Sequence, residues 1–462
     1  MSLELPAIRD LIDGEWGVPT VDLGIALENP ATGAPVARAV ATAPDRVDRA
    51  LAVAERAHGR ITAETLDAIA DGLDARLTAI TELDAFATGV PIRQTTPLGV
   101  IVSGAFRLAA AQLRSGALRA DREGVEVHRL GLGPALCLVP WNAPAPMAAH
   151  KVANALAAGC PVLLKVSELT PYSSVLLAEV VADHVPQGMF QLVQGGAATG
   201  ARLVADARIK AVSFTGGVAG GQAVAIASAP LFRPCQLELG GNNPLIVLPD
   251  ADLDTAARMG AELLTTLNGQ WCRALGRLIV PVERVGEIVE AIGKRLESLT
   301  VGAPLDPATE FGPLVHSRHV GALRAAIAGR AERSFGQLPE SGNYFAPTLL
   351  DDDLTEEVFG PVAGVATYDS VEQVVRLANA VPYGLEAYVC GADTEFARAI
   401  ARRIRAGEVK VNGSSIMSLH LMTPRPAWGI SGLGEEGTAE TLRFFTGARV
   451  VGVEGRFALH TS

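Results

Sequence analysis

Cysteine is scarce and scattered. The five residues Cys137, Cys160, Cys235, Cys272 and Cys390 are odd in number and far apart. No Cys-x-x-Cys pair occurs, so neither a zinc site nor a disulfide framework is suggested, no metal is expected, and a reducing cytoplasmic setting is. Clustered positive charge is missing too. The 39 Lys and Arg side chains are outnumbered by 50 Asp and Glu, a net charge of −11. No basic stripe is available to track phosphates, which argues against nucleic acid as a partner, although a local basic pocket for a small anion is left open. There is no uncharged apolar run of about 18 residues, and the opening "MSLELPAIRDLIDGEW" has no basic stretch leading into an apolar one. Neither a membrane helix nor a leader is therefore expected. Short-period repeats, low-complexity tracts and a Gly-x-Gly-x-x-Gly turn are also absent, the last removing the usual dinucleotide fingerprint.

What remains is a chain of 462 residues, 49% hydrophobic and 19% charged. That is the composition of a globular enzyme long enough for two or more domains. Ala/Leu-rich segments with helical spacing alternate with short Val/Ile/Leu runs that end at Gly, Pro, Asn or Asp. Residues 45–61 and 62–89 read as helices, the second with a break expected at Gly72. From 134 to 248 the order strand, loop, helix recurs: "PALCLVP", "AAHKVANALAAG", "PVLLKV", "SSVLLAEVVADHV", "FQLVQG", "GARLVADA", "IKAVSF", "GGQAVAIASA", "PCQLELGG". A second alternation runs from 243 to about 430. Such alternation predicts an α/β fold with parallel sheets covered by helices on both faces.

One cysteine sits in an unusual place. "LNGQWCRALGR" (267–277) sets Cys272 between Trp271 and Arg273 in a polar, glycine-containing run. By residue type alone, a free cysteine is most often a small buried hydrophobe. The alternative is a nucleophile. Taken singly, Asn142 in "VPWNAP" reads equally as a turn or cap residue, and Glu238 in "QLELGG" as a surface carboxylate.

Taken together, "PWN", "KVSE", "FTG", "ELGG", "GQWC" and "EEVFGPV" occur in one order over nearly the whole chain. In that order they resemble the aldehyde dehydrogenase superfamily. Glu238 and Cys272 lie 272 − 238 = 34 residues apart, a separation similar to the family's. The resemblance implies an aldehyde-dehydrogenase-like α/β fold that oxidises an aldehyde to a carboxylic acid with NAD. Cys272 is then the nucleophile that forms a thiohemiacetal and later a thioester. The Asn142 amide and the Cys272 backbone N–H hold the oxyanion, and Glu238 activates water for hydrolysis.

The same resemblance implies a cofactor site. In "FTGGVAGG" a strand ending at Phe214 runs into Gly216 and Gly217, where backbone N–H groups and a helix N-terminus can face a pyrophosphate. Lys165 and Glu168 are matched to the adenosine ribose hydroxyls, and a carboxylate at Glu168 would repel a 2′-phosphate, favouring NAD over NADP. Glu357 is matched to the nicotinamide ribose and Phe359 to the nicotinamide ring; a solvated carboxylate and a core aromatic are the plain alternatives. Trp141, Ser167, Gly196, Gly200 and Leu239 complete the implied cofactor surroundings.

The chain also departs from the family pattern. A glycine stands at position 217 where a hydroxyl residue is common, Leu267 replaces the usual asparagine, and Asn242 a frequent lysine. The lysine often found before Ser431 is missing, and residues 88–118 match poorly. Ala143 follows Asn142 where many relatives carry a bulky aromatic, so a wide pocket for a bulky or aromatic aldehyde is expected. Trp271, Ala143 and Arg273 are the pocket residues. Arg273 has three readings: an anchor for an anionic substrate group, a depressor of the Cys272 pKa, or a partner in an outward salt bridge.

The expected architecture has three parts. Residues 1–118 with 136–239 form a cofactor domain, and 240–432 a catalytic domain. Residues 119–135 with 433–462 form an oligomerisation element in which 124–133 pairs with 448–459, giving a homodimer or homotetramer. A CoA-acylating relative is the competing enzyme reading, which Glu238 opposes. A non-catalytic paralogue is the other, opposed by the joint presence of Cys272, Glu238 and Asn142.

Overall fold

The computed structural model describes residues 3–453. Two sheets organise the chain. In the first, five parallel strands lie in the order Phe190–Val193, Val162–Lys165, Ala135–Leu138, Ala211–Thr215, Cys235–Glu238. Every residue in the first three is buried, as the run of Val, Leu and Phe requires of strands covered on both faces. Counted along the chain, that order is 3-2-1-4-5. The direction of winding therefore reverses between Ala135–Leu138 and Ala211–Thr215, which opens a crevice at their carboxyl ends. Antiparallel strands extend both sides: Asp10–Ile12 and then Glu15–Gly17 beyond Phe190–Val193, and Gly432–Leu433 beyond Cys235–Glu238, pairing Gly432 with Glu238.

The second sheet has six parallel strands in the order Thr348–Leu350, Val362–Tyr368, Leu275–Pro281, Asn243–Val247, Glu386–Cys390, Glu408–Val411. Glu332–Ser334 joins its edge in antiparallel fashion. The two α/β alternations expected along the chain thus become two separate sheets, each with its own buried core. A third, antiparallel sheet joins Arg119–Arg122, Val125–Gly131 and Thr446–Val451, in a register running from Thr446 opposite Gly131 to Val451 opposite Glu126. This is the expected pairing of the 124–133 run; residues 454–459 of its partner lie outside the described residues.

One expectation changes. The helix Ala63–Thr88 is continuous through Gly72, starting where Thr62 accepts a bond from the Thr65 amide and ending at Gly89 with φ +80°. A Cβ at position 72 would stand 2.7 Å from Val180 Cγ1, so the glycine permits close packing on the helix Tyr172–His184 and does not break its own helix. The poorly matching stretch 88–118 is helical, comprising Ile92–Leu98 and Val100–Arg114. Ile92–Arg114 is long and apolar enough to cross a membrane by length and hydropathy, although Arg93, Arg107 and Arg114 interrupt it. Val102, Ala105, Phe106, Ala109 and Ala110 of this segment are buried in the core beside the first sheet.

Candidate active site

Cys272 lies in the loop leading into the strand Leu275–Pro281. Immediately before it, Leu267 (φ 52°), Asn268 (φ 58°) and Gly269 (φ 73°) adopt three successive left-handed conformations. For the two non-glycine residues this costs about 1–2 kcal/mol each. Buried hydrogen bonds offset it. The Leu267 amide donates to Gln94 Oε1 at 2.8 Å, and Asn268 Nδ2 donates to the carbonyls of Gly89 and Pro313 at 2.8 and 2.9 Å. Asn268 Oδ1 accepts from the Gly312 amide at 2.9 Å. Gly269 cannot carry a side chain, because a Cβ would meet Pro361 N at 2.3 Å. Beyond the turn, Gln270 Nε2 donates to the Thr88 carbonyl, and Asn243 Nδ2 donates to the carbonyls of Cys272 and Ala274 at 2.9 and 2.8 Å. The loop is pinned from both sides, and Cys272 keeps partial exposure to a cavity of about 350 Å³.

Arg273 departs from two of its three readings, the substrate anchor and the outward salt bridge, and keeps the third only in direction. It is 1% exposed, outside the cavity wall, and donates through Nη1 to Glu386 Oε2 at 2.8 Å and Glu408 Oε2 at 3.3 Å. Its ion pairs face inward, with Lys410 Nζ 2.7 Å from the other oxygen of Glu386. The Arg273 carbonyl accepts from Tyr388 Oη at 2.8 Å. Buried outside the cavity lining and held through Nη1, with Nη2 directed towards Glu238 at 3.9 Å, the guanidinium is a strut under the Cys272 loop and not part of the pocket. Its charge does oppose the rise of the Cys272 thiol, but burial dominates and pushes that thiol up to about 12.

Glu238 ends its strand at the opposite cavity wall, 6% exposed. Its Oε1 has no hydrogen-bond partner among the described residues, and Oε2 lies 3.9 Å from Arg273 Nη2. Burial, aided by the Glu436 carboxylate and opposed by Arg273, raises its pKa to about 8. Behind it is a buried ion pair that sequence reasoning missed. Lys151 Nζ donates to Glu436 Oε1 at 2.9 Å and to Ser213 Oγ at 2.7 Å, and Ser213 passes a bond to Gln236 at 2.9 Å. Burial works against the Glu436 charge, yet Lys151, His150 and Arg425 outweigh it and hold Glu436 at about 2. A lysine on a helix whose neighbours Ala148, Ala149, Val152 and Ala155 are all core residues was the available signal.

Asn142 follows the strand Ala135–Leu138 and lines the same cavity. Its Nδ2 donates to the Gln270 carbonyl at 2.8 Å, which ties it to the cysteine loop and leaves its second N–H to aim elsewhere. Ala143, Leu98, Ile101, Met147, Leu267, Trp271 and Ile416 supply the apolar wall. Ala143 and Trp271 are thus where expected.

The other cavity wall carries Trp141, Gly216, Gly217, Leu239, Glu357 and Phe359, at the crevice where the first sheet reverses direction. The Trp141 and Phe359 rings meet edge to face at 5.5 Å. His319, missed from the sequence, stacks edgewise on Trp141 at 5.2 Å, and burial lowers its pKa to about 4. Phe214 underlies the glycine turn, since a Cβ at Gly216 or Gly220 would strike its Cζ at 2.5 or 2.9 Å. Glu357 Oε1 accepts from the Gly241 amide at 3.1 Å, and burial raises its pKa to about 7.

Lys165, Ser167, Glu168, Gly196 and Gly200 are not part of that wall. They lie past the end of the strand Val162–Lys165 and at the start of the helix Ala197–Ala205. Lys165 Nζ is 3.9 Å from Glu168 Oε2, and a Cβ at Gly196 would stand 3.6 Å from the Glu168 carboxyl. These residues fit a dinucleotide. The crevice is of the right topological kind, Gly217 has nothing within 4 Å of its Cβ position, and Thr215 Oγ1 and His319 Nε2 are buried without partners among the described residues.

Comparison with known proteins agrees. A model of the aldehyde dehydrogenase family matches residues 19–451. A 3-succinoylsemialdehyde-pyridine dehydrogenase from a Pseudomonas species is 32% identical, covering 96% of this chain and 98% of its own. A betaine aldehyde dehydrogenase from Rhizobium leguminosarum is also 32% identical, with 96% and 97% covered. Among solved structures, a mutant aldehyde dehydrogenase C from Pseudomonas syringae, complexed with NAD+ and octanal, superposes with a TM-score of 0.90 at 30% identity over 100% of both chains. An aldehyde dehydrogenase of Mycobacterium tuberculosis complexed with NAD+ gives 0.90 at 30% identity, with 98% and 99% covered.

Proposed function

Since the chain belongs to the aldehyde dehydrogenase family, we propose that it oxidises an aldehyde to a carboxylic acid with NAD and water. The observation that carries this reading is the convergence of Cys272, Glu238 and Asn142 on one cavity whose far wall carries Trp141, Glu357 and Phe359. Cys272 Sγ adds to the carbonyl carbon and makes it tetrahedral. The free N–H of Asn142 and the Cys272 amide receive the oxyanion. Bound NAD supplies the acceptor for the hydride that this carbon gives up. Glu238, buried and short of partners, then takes a proton from the water that hydrolyses the thioester. The Lys151–Glu436 pair behind it fixes the local charge. Glu357 and the Trp141–Phe359 pair orient the nicotinamide end, while Glu168 beside Lys165 takes ribose hydroxyls and disfavours NADP.

The apolar wall around Ala143 suits a bulky or aromatic aldehyde. For architecture, we assign the first sheet's residues 1–118 and 136–239 to a cofactor domain and 240–432 to a catalytic domain. Residues 119–135 with 433–462 make an oligomerisation element that assembles a homodimer or homotetramer, supported by the outward strand Thr446–Val451 with Val450 and Val451 exposed. Five free cysteines suit a reducing compartment such as the cytoplasm. The test is NADH production by the purified full chain over an aldehyde panel, with and without CoA. Turnover without CoA supports the hydrolytic reading, an absolute CoA requirement refutes it, and no NADH with any aldehyde refutes dehydrogenase activity altogether.

A further inference from the structure

We propose that Arg425 selects the substrate, favouring aldehydes that carry a carboxylate a short chain away from the carbonyl. The inference rests on the reading of the cavity as an aldehyde dehydrogenase site.

Arg425 lies in the short strand Arg425–Pro426, opposite Glu436 in the antiparallel pair with Glu435–Glu436. This pairing puts it in the wall of the cavity that holds Cys272 and Glu238, partly exposed. Other arginines of the 240–432 half have carboxylate partners: Arg273 has Glu386 and Glu408, Arg277 has Asp353, Arg258 has Glu262. Arg425 differs. Among the described residues no carboxylate oxygen lies within 4.0 Å of its guanidinium, and its side chain makes no hydrogen bond. The acid opposite it, Glu436, is already engaged by Lys151 at 2.9 Å. A planar cation with five donors, left without a partner in a confined cavity, is a ready receptor for a carboxylate that can take two of those donors side by side.

The reach of its charge places it near the chemistry. Arg425 opposes the upward shifts of Cys272 and Glu238 and helps depress Glu436. Arg425 and Cys272 line the same cavity, so an anion held by one and a carbonyl attacked by the other can belong to a single small substrate. Met147, Leu267, Trp271 and Ile416 in the same wall offer apolar contact to the intervening chain; no lysine or second arginine among the described residues lines it, and of its carboxylates Glu238, Glu357 and Glu436 the last is held by Lys151. A substrate bearing a fixed positive charge would meet Arg425 as a repulsion.

The experiment compares kcat/KM of the full-length enzyme for succinic semialdehyde, butanal and betaine aldehyde, in the wild type, Arg425→Met and Arg425→Lys. The selectivity ratio of succinic semialdehyde over butanal should fall roughly tenfold or more in Arg425→Met, through KM, the scale of one charge-assisted contact. Arg425→Lys should restore part of it, and betaine aldehyde should gain in the methionine variant. An unchanged ratio, or equal losses of kcat on all three, would overturn the proposal and make Arg425 a tuner of Glu238. Calorimetric binding of succinate against butyrate gives a readout independent of turnover. Succinate binding that disappears in Arg425→Met while thermal unfolding is unchanged supports the anion site even if no aldehyde is oxidised, in which case only the dehydrogenase reading falls. Succinate binding that is absent or indifferent to Arg425 overturns the site itself.

Discussion

Raising the pH from 7 to 9 should accelerate turnover about tenfold, and Glu238 is the reason. Burial and the neighbouring Glu436 carboxylate raise its pKa to about 8. The carboxylate is then about one-tenth ionised at pH 7 and about nine-tenths ionised at pH 9. Only the ionised form can take a proton from water, so the rate follows that fraction wherever thioester hydrolysis limits. Two variants check the cause. Glu238→Gln should give a burst of about one NADH per site and then stall, because the thioester forms but is not hydrolysed. Glu436→Gln removes a negative charge beside Glu238 and leaves the Lys151 ammonium without its partner. Both changes favour the Glu238 anion, so the midpoint of the pH profile should move below 8. Stopped-flow absorbance separates the steps, since the Cys272 thiol, held at about 12, governs the burst and not the slower phase. The reasoning fails if the steady-state rate is flat between pH 6.5 and 9, if Glu238→Gln turns over like wild type, or if Glu436→Gln moves the midpoint upward.

Cys272→Ala should abolish aldehyde oxidation and leave NAD affinity nearly intact by calorimetry; more than a few per cent residual turnover would exclude the thiohemiacetal route. Arg273→Met should act on the fold before it acts on specificity. It leaves Glu386 and Glu408 buried with one cation fewer, a loss on the order of 3–5 kcal/mol in denaturant unfolding. A stable variant that loses only anionic substrates would restore Arg273 to the pocket. Glu168→Ser should relax the preference for NAD over NADP in steady-state kinetics, and a wild type that already prefers NADP would contradict the role given to Glu168.

Strands were legible because their signal is local. "ALCL", "VLLK" and "FQLV" are apolar runs between glycine, proline and asparagine, and each became a wholly buried strand. Glycine was harder to read, because Gly72 answers to Val180 on another helix and not to its own neighbours. Arg273 was misread for the same reason. Its partners Glu386 and Glu408 stand 113 and 135 residues away, brought close only by the order of strands in the second sheet. Lys151 and Glu436 carry no local signal of their pairing, being 285 residues apart in sequence and 2.9 Å apart in the fold. His319 looks in sequence like any polar residue near a helix start, and only the packing of Trp141 and Phe359 gives it meaning. Cys272, Glu238 and Asn142 were singled out through a pattern of short motifs; nothing in any one of those residues alone distinguished it.

Glu238 closes a strand of the first sheet, whereas Cys272 hangs from a strand of the second. Asn142 bridges the two through its bond to the Gln270 carbonyl. On the proposed mechanism neither sheet holds the full set of groups by itself, and the set is complete only where the two sheets meet. A slip of an ångström or so between the layers would disarm it while leaving both cores intact, because reacting groups tolerate far less displacement than packed side chains do. Function is thus the most fragile property of this molecule. It would be lost to mild heat, pressure or a loosening substitution well before any strand came undone.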